Sequence, residues 1–403
     1  MWRHAENKSP FLLFIGMALT IQATPATYSS IHDNLIYTVA DVAKVADPVT
    51  YVNFKFIGDV YVGGVLVARI LKVPDPVTGI GIFNVGQIVR NYIATAFNPT
   101  ANLVVAQQLG TGVFNLSVQM KFGEEYNLTQ FLNVTVDSAR VFFNNYNPRL
   151  IGTLSSLIPY TNKVASNRPL RGQTLLTSAY NFVPYFPIST SAVTFTVTPT
   201  GGGSVYSTTF TPSNTYDLQL LNVSPVALNA VAPGTINAAT TSYTVLIGSQ
   251  TFTFKIICEA MYQVFMIHFL NEYGGFESKM FTKVSRQTLD IQRKDFGKLP
   301  YTIDSNGVVT YKNANGVYNE SRSVYSAQYK EKLTLNSDLL TDAEYAWLGD
   351  LILSPMVYVE EGGYFFPAVI TDNNYEPKKV INDDLTNLTM SIEYGQQLNS
   401  QFR

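Results

Sequence analysis

Hydrophobic and polar residues alternate strictly along much of this chain, most cleanly from Phe114 to Phe122. Phe114, Leu116, Val118, Met120 and Phe122 share one side of an extended backbone, with Asn115, Ser117, Gln119 and Lys121 on the other. Successive side chains of a strand point to opposite faces, so this two-residue period predicts a half-buried strand. The same pattern covers Val193, Phe195 and Val197, then Phe252, Phe254, Ile256 and Cys258, then Leu388, Met390, Ile392 and Tyr394. Glycine clusters separate such runs at Gly63-Gly64, Gly201 to Gly203 and Gly362-Gly363, which predicts three hairpins.

Helical periodicity is confined to two places. Asn84 is placed to cap a helix whose Val85, Ile88, Val89, Tyr92 and Ile93 form one apolar stripe. Thr341 and Glu344 form a capping box, Leu340 and Tyr345 a hydrophobic staple, and Leu348, Leu351 and Ile352 the buried stripe, with Pro355 beyond the end. The expected fold is mainly β, α+β overall: antiparallel β-sandwich-like domains with two short amphipathic helices. Pattern breaks near Pro148 and Gly297 predict three domains, residues 1–148, 149–297 and 298–403, the middle one nearly all strand.

Composition adds a reason for the missing charge. The 403 residues include only 14% charged side chains but 25 Tyr and 25 Phe, against roughly 25% charged in ordinary soluble domains. Surfaces rich in Tyr, Asn and Thr and poor in charge suit burial between subunits, because an unpaired buried charge is costly and a tyrosine ring is not. A formal charge of −2 without a long basic run argues against nucleic acid as a partner. Cys258 is the one cysteine, so no intrachain disulfide forms, and it reads as a small buried hydrophobe. The run Phe11 to Ile21 imitates a signal peptide, but Glu6 stands in its basic leader, and the run is half the ~20 apolar residues that span a bilayer. It is read as an N-terminal strand docked on the body or on a neighbour, with no membrane span.

Candidate chemistry is sparse. The three histidines, His4, His32 and His268, have no ligand-like spacing, and His268 within FMIHFLNEY reads as a satisfied core or sheet histidine. No nucleophile elbow, zinc-protease, Walker or dinucleotide glycine pattern occurs. Three acidic pairs fit a glycosidase by residue type only: Glu124-Glu125, Glu360-Glu361 and Asp383-Asp384. Each stands at a strand end or turn, where solvated carboxylates are ordinary. The turn at 371–376 lacks a calcium-loop pattern. The sequence therefore assigns no catalytic, cofactor-binding or metal residue, no cofactor and no enzymatic activity. Tyr273 and Phe276 around Gly274-Gly275 are placed for an aromatic carbohydrate platform, or for core and interface caps.

Two stretches resemble a family of virion proteins from phages and prophages of Bacteroidetes bacteria. One is IQATPATYSSIHDNLIYTV with YVNFKFIGDVYVGGVLVARILKVPDPVTGIGIFNVGQIVRNYI. The other is FLNEYGGFESKMF with KLTLNSDLLTDAEYAWLGDLILSPMVYVEEGGYFFPAVITDNNYEPKK. The spans that enclose them, residues 21–93 and 269–379, take in about half of the chain, toward both ends. The resemblance implies a tail-tip, baseplate or tail-collar subunit in the virion, forming a ring with copies of itself and other tail proteins and joining the tail to fibres or host-contacting parts. It supplies no catalytic residues. The alternative is a host-attachment or carbohydrate-binding β-protein.

Overall fold

The computed structural model describes residues 19–94, 96–99, 102–106, 115–142, 163–212, 215–257, 261–372, 386–395 and 398–400. Strand makes up 52% of the described residues and helix 9%, so the protein is mainly β as the alternation predicts. It divides into two compact units, Met1–Ala96 with Gln108–Tyr160, and Phe97–Gln107 with Thr161–Arg403.

In the first unit, a five-stranded sheet has the spatial order Tyr28–Ser30, Thr129–Phe142, Asn115–Tyr126, Lys55–Val62, Val65–Lys72. A three-stranded sheet, Thr20–Ala23, Ile36–Ala40 and Gly81–Asn84, shares its core. Leu116, Val118, Met120 and Phe122 meet Tyr37, Val39, Phe56 and Phe83 there, which places the expected apolar face inward. The hairpin at Gly63-Gly64 is present, with φ of 58° and 85°, the left-handed pair that a two-residue hairpin turn requires. Leu19 is buried and Thr20–Ala23 pairs with Ile36–Ala40, so the end of the apolar N-terminal run is a strand. The rest of that run lies outside the described residues, as do Phe114, Cys258 and the Asp383-Asp384 pair.

Helix α1 spans Val42–Val45, capped by Asp41, and α2 spans Gly86–Arg90. The second is shorter than the apolar stripe implied. Val85 holds the N-cap position without a side-chain bond, while Asn84, one residue earlier, accepts from Gly86 N at 3.2 Å. Val85, Val89 and Ile93 are buried, but Tyr92 lies beyond the helix and is exposed.

The second unit contains a sandwich and a larger sheet. The sandwich packs a four-stranded sheet (Lys163–Val164, Phe182–Phe186, Gln219–Asn222, Val104–Ala106) on a five-stranded one (Arg171–Leu175, Gln250–Ile257, Ser242–Ile247, Val193–Thr200, Tyr206–Phe210). Val193, Phe195, Val197, Phe252, Phe254 and Ile256 fill its core, and the hairpin across Gly201 to Gly203 is formed. Helix α3, Pro225–Val231, interrupts the stretch expected to be nearly all strand. Its signal was present, since Ser224 caps the helix and Pro225 at the first turn needs no hydrogen-bond partner for its nitrogen.

The eight-stranded antiparallel sheet runs Phe276–Phe281, Phe265–Leu270, Val357–Glu361, Tyr364–Ile370, Thr386–Tyr394, Arg322–Leu340, Arg286–Gly297, with Leu398–Ser400 added beside Arg322–Leu340. It includes the expected hairpin at Gly362-Gly363. Helix α4, Asp342–Leu353, begins with the capping box read from Thr341 and Glu344 and buries Trp347, Leu348 and Leu351 on one sheet face. The boundary expected near Gly297 falls at the end of a strand of this sheet, whose strands come from both sides of it. Residues 97–107, expected in the first domain, belong to the second unit, because Val104–Ala106 pairs with Gln219–Leu221.

Candidate functional site

Strand Phe265–Leu270 is buried along its whole length, its odd and even positions facing two different layers. Phe265, Ile267 and Phe269 enter the core under α4. The other face carries His268, fully buried, with Nδ1 2.8 Å from Ser278 Oγ and Nε2 3.1 Å from Glu360 Oε2. Phe97, Phe182 and Phe365 surround the imidazole at ring-centroid distances of 5.5, 5.4 and 5.3 Å. Phe182 N donates to Ser278 Oγ at 2.9 Å.

The protons order themselves along this chain. A carboxylate only accepts, so Nε2 carries the hydrogen toward Glu360, and Nδ1 accepts from the Ser278 hydroxyl. Burial lowers the His268 pKa below its usual value, against the opposing pull of Glu360, and the ring is neutral at pH 7. Serine, histidine and carboxylate thus have the connectivity of a hydrolytic triad. Ser278 is only 1% exposed and its oxygen already accepts the Phe182 amide, so a scissile carbonyl has no approach to it. The chemistry available is cohesive: three polar side chains satisfy one another between two sheets. His268 is the satisfied histidine the sequence indicated, and Glu360 is its partner rather than a freely solvated turn residue.

A second polar cluster lies in the first unit. Glu124 is fully buried and accepts a hydrogen bond from the Lys44 ammonium, and Asp41, 1% exposed, forms an ion pair with it at 3.2 Å. This corrects the expectation of a solvated Glu124. Burial raises the Glu124 carboxyl above its usual range, opposed by the Lys44 hydrogen bond. Burial alone would lower Lys44, but its bonds to Glu124 and Asp41 outweigh that and raise it. Glu125, by contrast, is paired with Lys55 at 3.1 Å and Gln130 at 2.8 Å at the surface side of the strand. A cavity of about 580 Å³ opens beside Lys44, lined by Val42, Val45, Tyr51, Phe54 and the turn 73–79. Lys44 lines it, whereas Asp41 and Glu124 do not.

A third cluster joins the layers of the second unit. Arg168, 6% exposed, sits 5.0 Å from the Phe254 ring centroid and 5.3 Å from that of Trp347. Glu277, fully buried, accepts the Trp347 indole N–H. Burial lowers Arg168 and raises Glu277, and in each case the charge of the other opposes the shift. The Asp350 carboxyl nearby is pushed up to about 8 by burial and by Glu272 and Glu277.

The aromatic turn is not a platform. Phe276 is fully buried, 4.6 Å from the Phe97 ring, and Tyr273 is tied by its hydroxyl to Asn167 Oδ1 at 2.8 Å. Asn271 Oδ1 accepts from the backbone N–H groups of Tyr273 and Gly275 at 3.0 and 2.9 Å, which closes the turn on itself. The cap reading of these aromatics is the one the structure bears out. Among the described residues, no group of three or more His, Cys, Asp or Glu side chains is placed to hold a metal ion. No described helix is long and apolar enough to cross a membrane.

No family model and no curated protein matches this chain. Among solved structures it is similar to the full extracellular region of Plexin A4, at 9% identity and a TM-score of 0.18 over 95% of this chain. The chain spans 40% of that protein's length, and a likeness this slight carries no argument.

Proposed function

We propose that this chain is a non-enzymatic structural protein of a bacteriophage virion, a tail-tip, baseplate or tail-collar subunit. It assembles into a ring with copies of itself and other tail proteins and joins the tail to fibres or host-contacting parts. The observation that carries the reading is a surface with few charges and many large apolar side chains. Leu128, Val77, Met261, Tyr364 and Leu353 are all at least 70% exposed, in a chain with only 14% charged residues. Isolated surface hydrophobes are ordinary, but such a density without charge suits surfaces that neighbours cover. The resemblance of both ends of the chain to phage virion proteins points the same way. The buried histidine cluster supports it too, since Ser278, His268 and Glu360 engage one another rather than an open cleft. The carbohydrate-binding alternative has no aromatic platform at Gly274-Gly275 to stand on.

The test is to locate the protein in purified particles by mass spectrometry and a map of the tail end. Stoichiometric presence in the tail is expected. Absence from intact particles, or presence only in the soluble lysate, would sink the proposal.

A further inference from the structure

Strands Arg286–Gly297 and Arg322–Leu340 pair over twelve residues. Thr386–Tyr394 and Leu398–Ser400 flank the second strand along 332–340 and 327–329, and beyond them residues 294–297 and 322–326 continue outward as a two-stranded ribbon. Nearly all of Arg286–Gly297 is exposed. Segment 298–321 forms the tip, with a small hairpin of Thr302–Ile303 and Val309–Thr310. Cross-strand pairing gives the ribbon two different faces. Gln287, Leu289, Ile291 and Arg293 share one with Leu333, Glu331, Tyr329 and Ala327, and this face continues outward from the buried sheet face of Leu333 and Leu335. Asp290 and Lys330, and Thr288 and Lys332, share the other, polar face. Leu289 and Ile291 stay 50% and 44% exposed, and the tip is more apolar still: Leu299, Ile303, Val308, Tyr311, Val317 and Tyr318 are each more than half exposed.

Charge indicates what covers it. Residues 286–326 contain six basic and four acidic side chains, a net +2, so in a chain of −2 the remainder carries −4. The arm's acids are engaged within it or at its base. Asp290 pairs with Lys332, Asp295 with Arg322 and Glu320 with Lys298, and Asp304 accepts backbone N–H groups. Arg286, Arg293, Lys294 and Lys312 form no ion pair among the described residues, which leaves the surplus positive charge outward. A basic, apolar arm on an acidic body is complementary to the body of another copy.

We infer that this arm, residues 286–326, seats on the body of a second copy of the chain and is the contact that links neighbouring subunits. The inference rests on the assembly reading above and names the surface that carries it. The strand pair is about 40 Å long over its twelve residues, and because Leu333 and Ala327 on its inner stretch are already buried, the surface left for a neighbour is its outer end and the tip. A specific interface needs ~1,000 Å², and the tip offers its exposed Leu299, Ile303, Val308, Tyr311, Val317 and Tyr318 toward it. An arm given to one neighbour while another is received also closes a ring without leaving the free strand edge of Arg286–Gly297 to pair at random.

The experiment compares the full-length wild type with two variants, Ile303→Ser/Tyr318→Ser at the tip and Arg293→Glu/Lys294→Glu on the ribbon, by sedimentation velocity from 1 to 100 µM. Because these side chains are exposed, melting temperature should not move. The wild type should associate, each variant should do so at least tenfold more weakly, and added salt should weaken the wild type toward the charge variant. Cross-links between ¹⁴N- and ¹⁵N-labelled copies should join arm lysines to the body. A wild type that stays monomeric, or variants that associate as the wild type does, would overturn the inference. Location in the particle is a separate measurement, so a soluble self-associating protein absent from virions would defeat the virion reading while leaving the arm contact intact.

Discussion

Replacing Gly275 by alanine isolates the packing of the turn that the sequence offered as a binding loop. An added Cβ would stand 2.3 Å from Pro184 Cβ, 2.6 Å from Pro184 Cγ and 3.2 Å from Leu218 Cδ2. Carbon atoms pack at about 3.5–4.0 Å, so the proline ring would have to retreat by more than about 1 Å. It has little freedom to do so, because strand Phe182–Phe186 is paired on both sides. The backbone at Gly275 is not left-handed, so the effect is steric and not conformational. Overpacking costs about 1–3 kcal/mol, and a rigid ring in a doubly paired strand puts Gly275→Ala at the upper end, near ~3 kcal/mol. For domains of this size that corresponds to about 6–12 °C in melting temperature. Gly363→Ala is the control: its φ is +83° and nothing lies within 4 Å, so only backbone strain of about 1 kcal/mol is expected. Thermal unfolding followed by circular dichroism, with urea midpoints at unchanged slope, reads both. A Gly275→Ala protein that melts within about 2 °C of wild type would show that turn and strand are not clamped as described.

Two further outcomes follow from the polar clusters. Glu124→Ala should destabilise the first unit by about 2–4 kcal/mol, because it leaves Lys44 short of a buried partner, whereas a solvated glutamate would cost under about 0.5 kcal/mol; urea unfolding distinguishes the two. The folded His268 pKa lies below its unfolded value, so the unfolded chain takes up the proton first. The contribution of His268 is therefore full above about pH 6.5 and is lost as pH falls from there. His268→Gln should flatten the decline in urea midpoint between pH 7.5 and 5, and an unchanged slope in the variant would rule out His268 as its source.

Much of the fold was legible because the signals were local. Leu116 to Phe122 alternate by themselves, Gly63-Gly64 and Gly362-Gly363 carry their own turn geometry, and the Thr341–Glu344 box marks a helix start whatever packs on it. The polar clusters depend on which strands become neighbours. Glu124 did carry a signal: it continues the even-numbered buried face of Leu116, Val118, Met120 and Phe122, and its proximity to a turn masked that. Strand Phe265–Leu270 is apolar at both odd and even positions, the mark of burial on two faces, whereas the sequence alone leaves His268 either in the core or on the sheet surface. Its link to Ser278 follows from a neighbouring strand, and the link to Glu360 spans 92 residues, a pairing that no local pattern encodes. The arm was missed because charge alternates with apolar residues there as it does in any strand with one wet face. What distinguishes it is the lack of a layer beneath.

The passage of residues 97–107 out of one unit and back sets an order of events during synthesis. Val104–Ala106 emerges early but pairs with Gln219–Leu221, about 110 residues later. At roughly 5–20 residues per second, that strand waits about 6–20 s for its partner. Meanwhile the first unit acquires strands Asn115–Tyr126 and Thr129–Phe142, which complete its five-stranded sheet. The first unit can therefore close around a core of its own while a short loop of it is still held out for a partner not yet translated. A ribosome-bound chain ending near residue 200 should protect Leu116 to Phe122 from proteolysis and leave residues 97–107 open to cleavage.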